Sequence, residues 1–356
     1  MTDTRDISSL RILVIGDHLH FKIEYPERVT LLWTGARDID PRHIDGPATP
    51  GRVLGALRDA RDGKYDVVVV YPPLYSPWHP RYGLRALLRS PLKPWSSLTR
   101  VFGVSLLRWL ELPVPLVAVD IHDANVIGRS SVFLLDKAKA FFKRELPVDR
   151  WQALTGTVHP YLPTLRFRNS ARWRKRMDVF RPISLPHLYK DPEFPASPLP
   201  EKTHDIFFAG GIEGNSTVRT AGLAELDRLR ELGYRIDHPA EKLALKDYLE
   251  RMSRSWIVWS PEGMGWDCYR HYEAAIVHSV PLMNNPTILR HAPLLNDVHG
   301  LYYDPEPGGL VRRAVAALAD KDKLRAMAAA AREHVLAHHS NRARCDTILR
   351  GAFDSE

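Results

Sequence analysis

Arg270 and Glu273 are the pair of side chains best suited to chemistry in this 356-residue chain, because they stand three apart in a stretch of helical character and share one face. A guanidinium holds phosphate oxygens bidentately, and a carboxylate accepts two hydrogen bonds from ribose hydroxyls, so the pair suits a nucleoside diphosphate. Its surroundings run from Ser253 to Asn285. They read as an apolar strand Trp256 to Trp259, a turn-rich loop Ser260 to Gly265, a helix from Asp267 to His278, and a second apolar run Pro281 to Met283. In a parallel sheet, ligands collect at the carboxyl ends of the strands beside a helix N-terminus, where unpaired N–H groups and the helix dipole favour an anion. An Arg/Glu pair at this spacing also makes an ordinary surface salt bridge. The glycine loop before it, and Ala274-Ala275 after it, favour the ligand.

The segment Tyr269-Arg270-x-x-Glu273-Ala274, followed by Val280-Pro281-Leu282, resembles the donor-binding segment of GT-B glycosyltransferases, nearest the group 1 and exostosin-like branches. The resemblance spans roughly 205 to 335 and is only architectural before that. It implies an α/β fold of two Rossmann-like parallel-sheet domains facing each other across a cleft, and transfer of a sugar from a nucleotide diphosphate-sugar. Donor-binding roles are implied for Arg270, Glu273, Gly265 and Tyr269. The loop Gly210 to Arg219 matches the family's diphosphate-facing loop, which adds Gly211, Ser216 and Arg219. Many retaining members carry two glutamates eight positions apart. Here Gly265 stands eight before Glu273 and the nearest acid is Glu262, so a retaining mechanism is not carried over.

Transfer also needs a base if it inverts, and the base must come from the first half of the chain. The strand 11–16 leads into Asp17, His18 and His20. A further strand, 114–120, ends in Asp120, His122 and Asp123. Polar groups at such strand ends converge on one crevice, and His18 or Asp120 is preferred as base, with Asp17 and His122 beside them. Lys143 and Arg144, at the exit of a strand over 139–145, are candidates for an acceptor or phosphate, although solvated charge is their ordinary role. Arg219 and Arg270 can neutralise a leaving diphosphate in place of a metal, so neither metal nor other cofactor is expected. His338-His339 reads as surface histidine and not as a zinc site. Trp256 and Trp259 read as core; Trp266, at the loop end, is balanced between core and ligand.

Length and 44% hydrophobic content support two domains with packed cores. The expected boundaries are an acceptor domain over 1–182, a proline-rich linker over 183–202, a donor domain over 203–337, and a tail over 338–356 that packs back on the first domain. Two cysteines exclude a disulfide scaffold, and with a first strand in place of a signal peptide they point to a reducing cytoplasm. A net charge of +8 implies an anionic partner. Residues 81–109 hold six basic residues, Arg81, Arg85, Arg89, Lys93, Arg100 and Arg108, and no acid, interleaved with leucine and tryptophan. This suits either the inner face of an anionic membrane or an ordinary solvated helix face; a second basic cluster over 166–176 favours the membrane or an anionic acceptor. The acceptor class is a glycan, a lipid-linked sugar or a small natural product. The alternatives are an epimerase or phosphorylase on the same scaffold, or a non-catalytic polyanion- or membrane-binding protein. No nucleic-acid motif is present.

Overall fold

The computed structural model describes residues 6–35, 40–72, 104–155, 170–185, 199–211 and 216–353. The expected basic helix at Arg81, Arg85 and Arg89, the residues Arg166 and Arg168, and the centre of the proline-rich linker lie outside the described residues. The chain divides into two compact units, residues 1–183 with 344–356, and residues 184–343.

The first unit is built on a seven-stranded sheet. Its strands are β1 (Ile12–Gly16), β2 (Val29–Trp33), β3 (Gly46–Pro47), β4 (Val67–Val70), β5 (Leu116–Asp120), β6 (Ala140–Lys143) and β7 (Phe180–Pro182), in the order β3-β2-β1-β4-β5-β6-β7. Every pairing is parallel. The central strands are unbroken runs of β-branched and apolar residues, buried along their whole length, as a sheet covered on both faces requires. The helices here are α1 (His20–Glu24), α2 (Pro50–Arg61), α3 (Leu134–Lys137) and α4 (Ala171–Asp178). Thr49 caps α2, its hydroxyl accepting from Arg52 N, and Pro50 opens the first turn where its missing N–H costs nothing. The chain's last helix ends in this unit: Cys345, Ile348, Leu349 and Ala352 pack with Ile12, Val14, Val29 and Val69 in one core, and Tyr25 donates to Asp346.

The second unit carries a five-stranded sheet, again wholly parallel. Its strands are β8 (His204–Phe207), β9 (Ile236–Asp237), β10 (Ser255–Trp259), β11 (Val280–Asn284) and β12 (Leu301–Tyr303), ordered β12-β11-β10-β8-β9. Its helices are α5 (Thr217–Glu231), α6 (Leu245–Ser253), α7 (Tyr269–Ile276), α8 (Gly309–Leu318) and α9 (Lys321–His338); α10 (Asn341–Arg350) leads back to the first unit. Gly222 lets α5 lie against the sheet, since a Cβ there would stand 2.2 Å from the ring of Trp259. The helix α5 starts at Thr217, because the Ser216 hydroxyl accepts from Arg219 N and so caps it. The edge strands β3 and β7, and the helix α4, were not anticipated; they are short, and α4 falls in what reads from sequence as a charge cluster.

Candidate functional site

Each sheet has one place where the strand order reverses, and the loops leaving the two strands there diverge and leave a crevice. In the second unit the reversal falls between β8 and β10. The loop after β8 carries Phe208 to Ser216, and the loop after β10 carries Ser260 to Cys268. These lead into α5 and α7, which bring Arg219 and Arg270 to the crevice.

Arg219 is 6% exposed. Its Nη1 donates to Gly211 O at 2.6 Å and its Nη2 to Pro261 O at 3.5 Å, while its Nε is buried without a hydrogen-bond partner among the described residues. Arg270 donates from Nη2 to Ala209 O at 2.7 Å and lies over the Phe208 ring, 5.2 Å from its centre. Its Nε and Nη1 are buried and likewise have no hydrogen-bond partner among the described residues. Among the described residues, neither guanidinium reaches a carboxylate within ion-pair distance. Burial lowers the pKa of Arg219, and the charge of Arg270 lowers it further. Two adjacent cations with three unspent N–H groups, at the mouth of two helices, form a site that an anion would complete. Glycines make room for them: a Cβ on Gly210 would stand 2.4 Å from Arg270 Nη2, and one on Gly263 would stand 3.1 Å from Arg219 Nη2.

Glu273, one turn along α7, is nearly buried and accepts a 2.9 Å hydrogen bond from the Tyr248 hydroxyl. Burial raises its pKa, with Tyr248 and Arg270 opposing. Tyr248, on α6 and 25 residues away in sequence, was missed; its only signal is a tyrosine in an amphipathic helix. Glu262 borders the same crevice. Asn284 Nδ2 donates to its Oε2 at 3.0 Å, and the Ser216 hydroxyl donates to its backbone oxygen. Gly265 is buried and its carbonyl accepts from Gly263 N, closing the loop; Tyr269 is the first residue of α7. Gly211 is exposed beside residues 212–215, which lie outside the described set.

Trp266 belongs to the core: it is 5% exposed and its indole N–H donates to Asn284 O at 3.0 Å. The surface reading of His339 is also overturned. It is 1% exposed, with Nε2 2.9 Å from Ala292 O and Nδ1 2.8 Å from the Ser184 hydroxyl, and burial drives its pKa well down.

In the first unit the reversal falls between β1 and β4, and β5 is the next strand along. His18 Nδ1 lies 2.9 Å from Asp17 Oδ1 and its ring stacks on Tyr71 at 4.7 Å. Asp120 is 4% exposed and spends both carboxylate oxygens, one on His122 Nδ1 at 2.8 Å and the other on Lys143 Nζ at 3.0 Å. Burial pushes its pKa up, but Lys143 and His122 outweigh burial and hold it below the usual carboxylate value. His122 is moved the other way: burial lowers it, while Asp120 and then Asp17 raise it above 6.5 overall. Both oxygens of Asp120, one of the two preferred bases, are therefore already engaged by neighbouring side chains.

Lys143 and Arg144 are not solvated, nor do they offer open cations. Lys143 is fully buried and also donates to Ala124 O; Arg144 is bonded to Glu145, Asp123 and Ile121 O. In the second basic cluster, Arg172 and Arg176 both pair with Asp136.

Residues 228–350 match the family described as glycosyl transferase-like. No curated protein matches the chain in sequence. Among solved structures, a glycosyltransferase from Rickettsia africae superposes with a TM-score of 0.52 at 12% identity, over 97% of this chain and 99% of that one. The Anabaena HepE protein in complex with UDP gives 0.53 at 10% identity, over 96% and 99%. Sucrose-phosphate synthase from Thermosynechococcus elongatus gives 0.53 at 12% identity, over 96% and 98%. At these identities the likeness is one of fold, and the fold is that of GT-B.

Proposed function

We propose that this chain, which has the GT-B fold and matches a glycosyl transferase-like family over residues 228–350, is a glycosyltransferase that moves a sugar from a nucleotide diphosphate-sugar to a hydroxyl acceptor. The observation that carries the donor reading is the pair Arg219 and Arg270, cations with buried, unspent N–H groups at the carboxyl ends of β8 and β10. They bind the diphosphate and neutralise the charge that develops as it leaves, the task a divalent ion performs in other transferases. Glu273, steadied by Tyr248, accepts from the ribose hydroxyls. The complex of the Anabaena relative with UDP makes UDP the first nucleotide to try.

In this reading His122 is the base. Asp120 holds its Nδ1, so Nε2 is the nitrogen left to accept the acceptor's proton, and the imidazolium that results is stabilised by Asp120 and Asp17. The acceptor is a glycan, a lipid-linked sugar or a small natural product. An anionic membrane surface is a second partner: Arg108 and Trp109, which close the basic segment, are both exposed. No helix among the described residues is long and apolar enough to cross a membrane.

Calorimetric titration with UDP tests the donor site. Arg270→Ala and Arg219→Ala are each expected to weaken binding by at least about a hundredfold, since each removes charged hydrogen bonds of about 1.5–3 kcal/mol. Full affinity in both variants would remove the diphosphate from this crevice.

A further inference from the structure

Cys268 precedes α7 as its cap residue, with extended backbone (φ −121°, ψ 143°), and it is half-buried and not disulfide-bonded. The position built for a Cβ on Gly263 lies 3.1 Å from Arg219 Nη2 and 3.9 Å from Cys268 Sγ, so guanidinium and sulfur border one small gap. Arg219, at the edge of that gap, is 6% exposed: Nη1 donates to Gly211 O and Nη2 to Pro261 O, and Nε is buried with no hydrogen-bond partner among the described residues. A thiolate is the form that attacks disulfides, and a neighbouring arginine and a helix N-terminus both favour it. The same field draws in negatively charged reagents.

We propose that Cys268 is a modification site, a thiol that exchanges with small anionic disulfides such as glutathione disulfide, and that the resulting mixed disulfide closes the crevice to the donor. The exchange is balanced within itself. The Cys268 thiolate attacks one sulfur of the reagent, the reagent's S–S bond breaks, and a new S–S bond forms to Sγ. The electron pair leaves on the other sulfur, which takes up a proton equivalent to the one Cys268 released. A free thiol reverses the step. The reactivity of Cys268 stands on the local geometry alone, whereas closure of the crevice rests on the donor reading above.

The test uses the full chain and two aromatic disulfides, the dianionic Ellman reagent and an uncharged dipyridyl disulfide, each referred to its rate with free cysteine. Cys268, located by peptide mass spectrometry, is expected to favour the dianionic reagent by at least about tenfold, and Arg219→Gln to remove that preference. Cys268→Ser is expected to bind UDP as the wild type does, because serine also caps a helix, and to keep its binding after treatment with glutathione disulfide. Wild type is expected to lose UDP binding on the same treatment and to regain it with dithiothreitol. Labelling without charge preference, or confined to Cys345, would overturn the reactive site. If UDP binds the unmodified protein but saturating UDP leaves the labelling rate unchanged, closure is refuted and the donor reading stands. If neither UDP nor inorganic pyrophosphate binds the unmodified protein, it is the donor reading that falls, and the charge-preference measurement still decides the reactivity of Cys268.

Discussion

Adding one methyl group to Gly210 should separate ligand binding from stability. Its Cβ would lie 2.4 Å from Arg270 Nη2, and the next close neighbours are at 3.4 Å or beyond, so the guanidinium is the only group that must move. Ordinary contact demands a shift of about 1 Å. The 2.7 Å bond from Nη2 to Ala209 O does not survive such a shift. Losing that bond costs about 1 kcal/mol, and replacing glycine at an allowed φ returns about 0.4–1 kcal/mol through the unfolded chain. Gly210→Ala should therefore melt within about 2 °C of wild type. The displaced guanidinium loses about one charged hydrogen bond to the diphosphate, roughly 1.5–3 kcal/mol, which weakens UDP binding by about ten- to a hundredfold. Thermal unfolding and calorimetry on the same samples check both halves. Unchanged affinity would show that Arg270 does not meet the ligand where the structure places it. A fall in stability as large as the loss of affinity would show that the guanidinium is a structural prop.

Four further outcomes are expected, three from the geometry and one from the sequence. NMR titration of His122 should give a pKa above 6.5, and Asp120→Asn should lower it; with Asp120 removed, an unshifted value would refute the orienting role. His122→Ala should reduce turnover by about 10²–10⁴-fold and leave UDP affinity unchanged, and a proportional loss of both would move the residue from base to donor binding. The buried His339 has a folded pKa far below 6.5, so the unfolded chain takes up the proton first and stability falls as pH drops below about 6.5. His291, His334 and His338, which lie near it, add to the penalty by repulsion, and His339→Asn should flatten the acid limb of thermal stability; an unchanged limb would count against this. Replacing Arg81, Arg85 and Arg89 by glutamine should reduce sedimentation with anionic vesicles, and unchanged partitioning would return that segment to an ordinary solvated face.

What the sequence made legible was local. Runs such as Val67–Val70 and Ile12–Gly16 are long enough and apolar enough to be read as buried parallel strands, and the loop ahead of Arg270 marks its helix. The resemblance at Tyr269 to Ala274 named the fold that the two parallel sheets have. Contacts between distant residues were not legible. Lys143 looks like solvated charge until β5 and β6 pair and set it against Asp120, 23 residues away, and Tyr248 gains its meaning only when α6 packs beside α7. Asp120 and His122 were chosen for one crevice, but the order within the pair depends on burial, which periodicity does not report. Trp266 was left undecided and His339 misjudged for the same reason: a loop tryptophan and a helix-end histidine are buried here by segments far along the chain. The strands β3 and β7 have too few residues to show any period.

The central claim is that the crevice after β8 and β10 holds a nucleoside diphosphate, with arginine in place of a metal at the diphosphate. The measurement that tests it most directly is calorimetric titration of the purified chain with UDP, GDP, dTDP, ADP and CMP in the presence of EDTA. Saturable binding of one diphosphate without metal, abolished in Arg270→Ala, is the predicted result. Absence of binding by every nucleotide, or binding that requires a divalent ion, would contradict it.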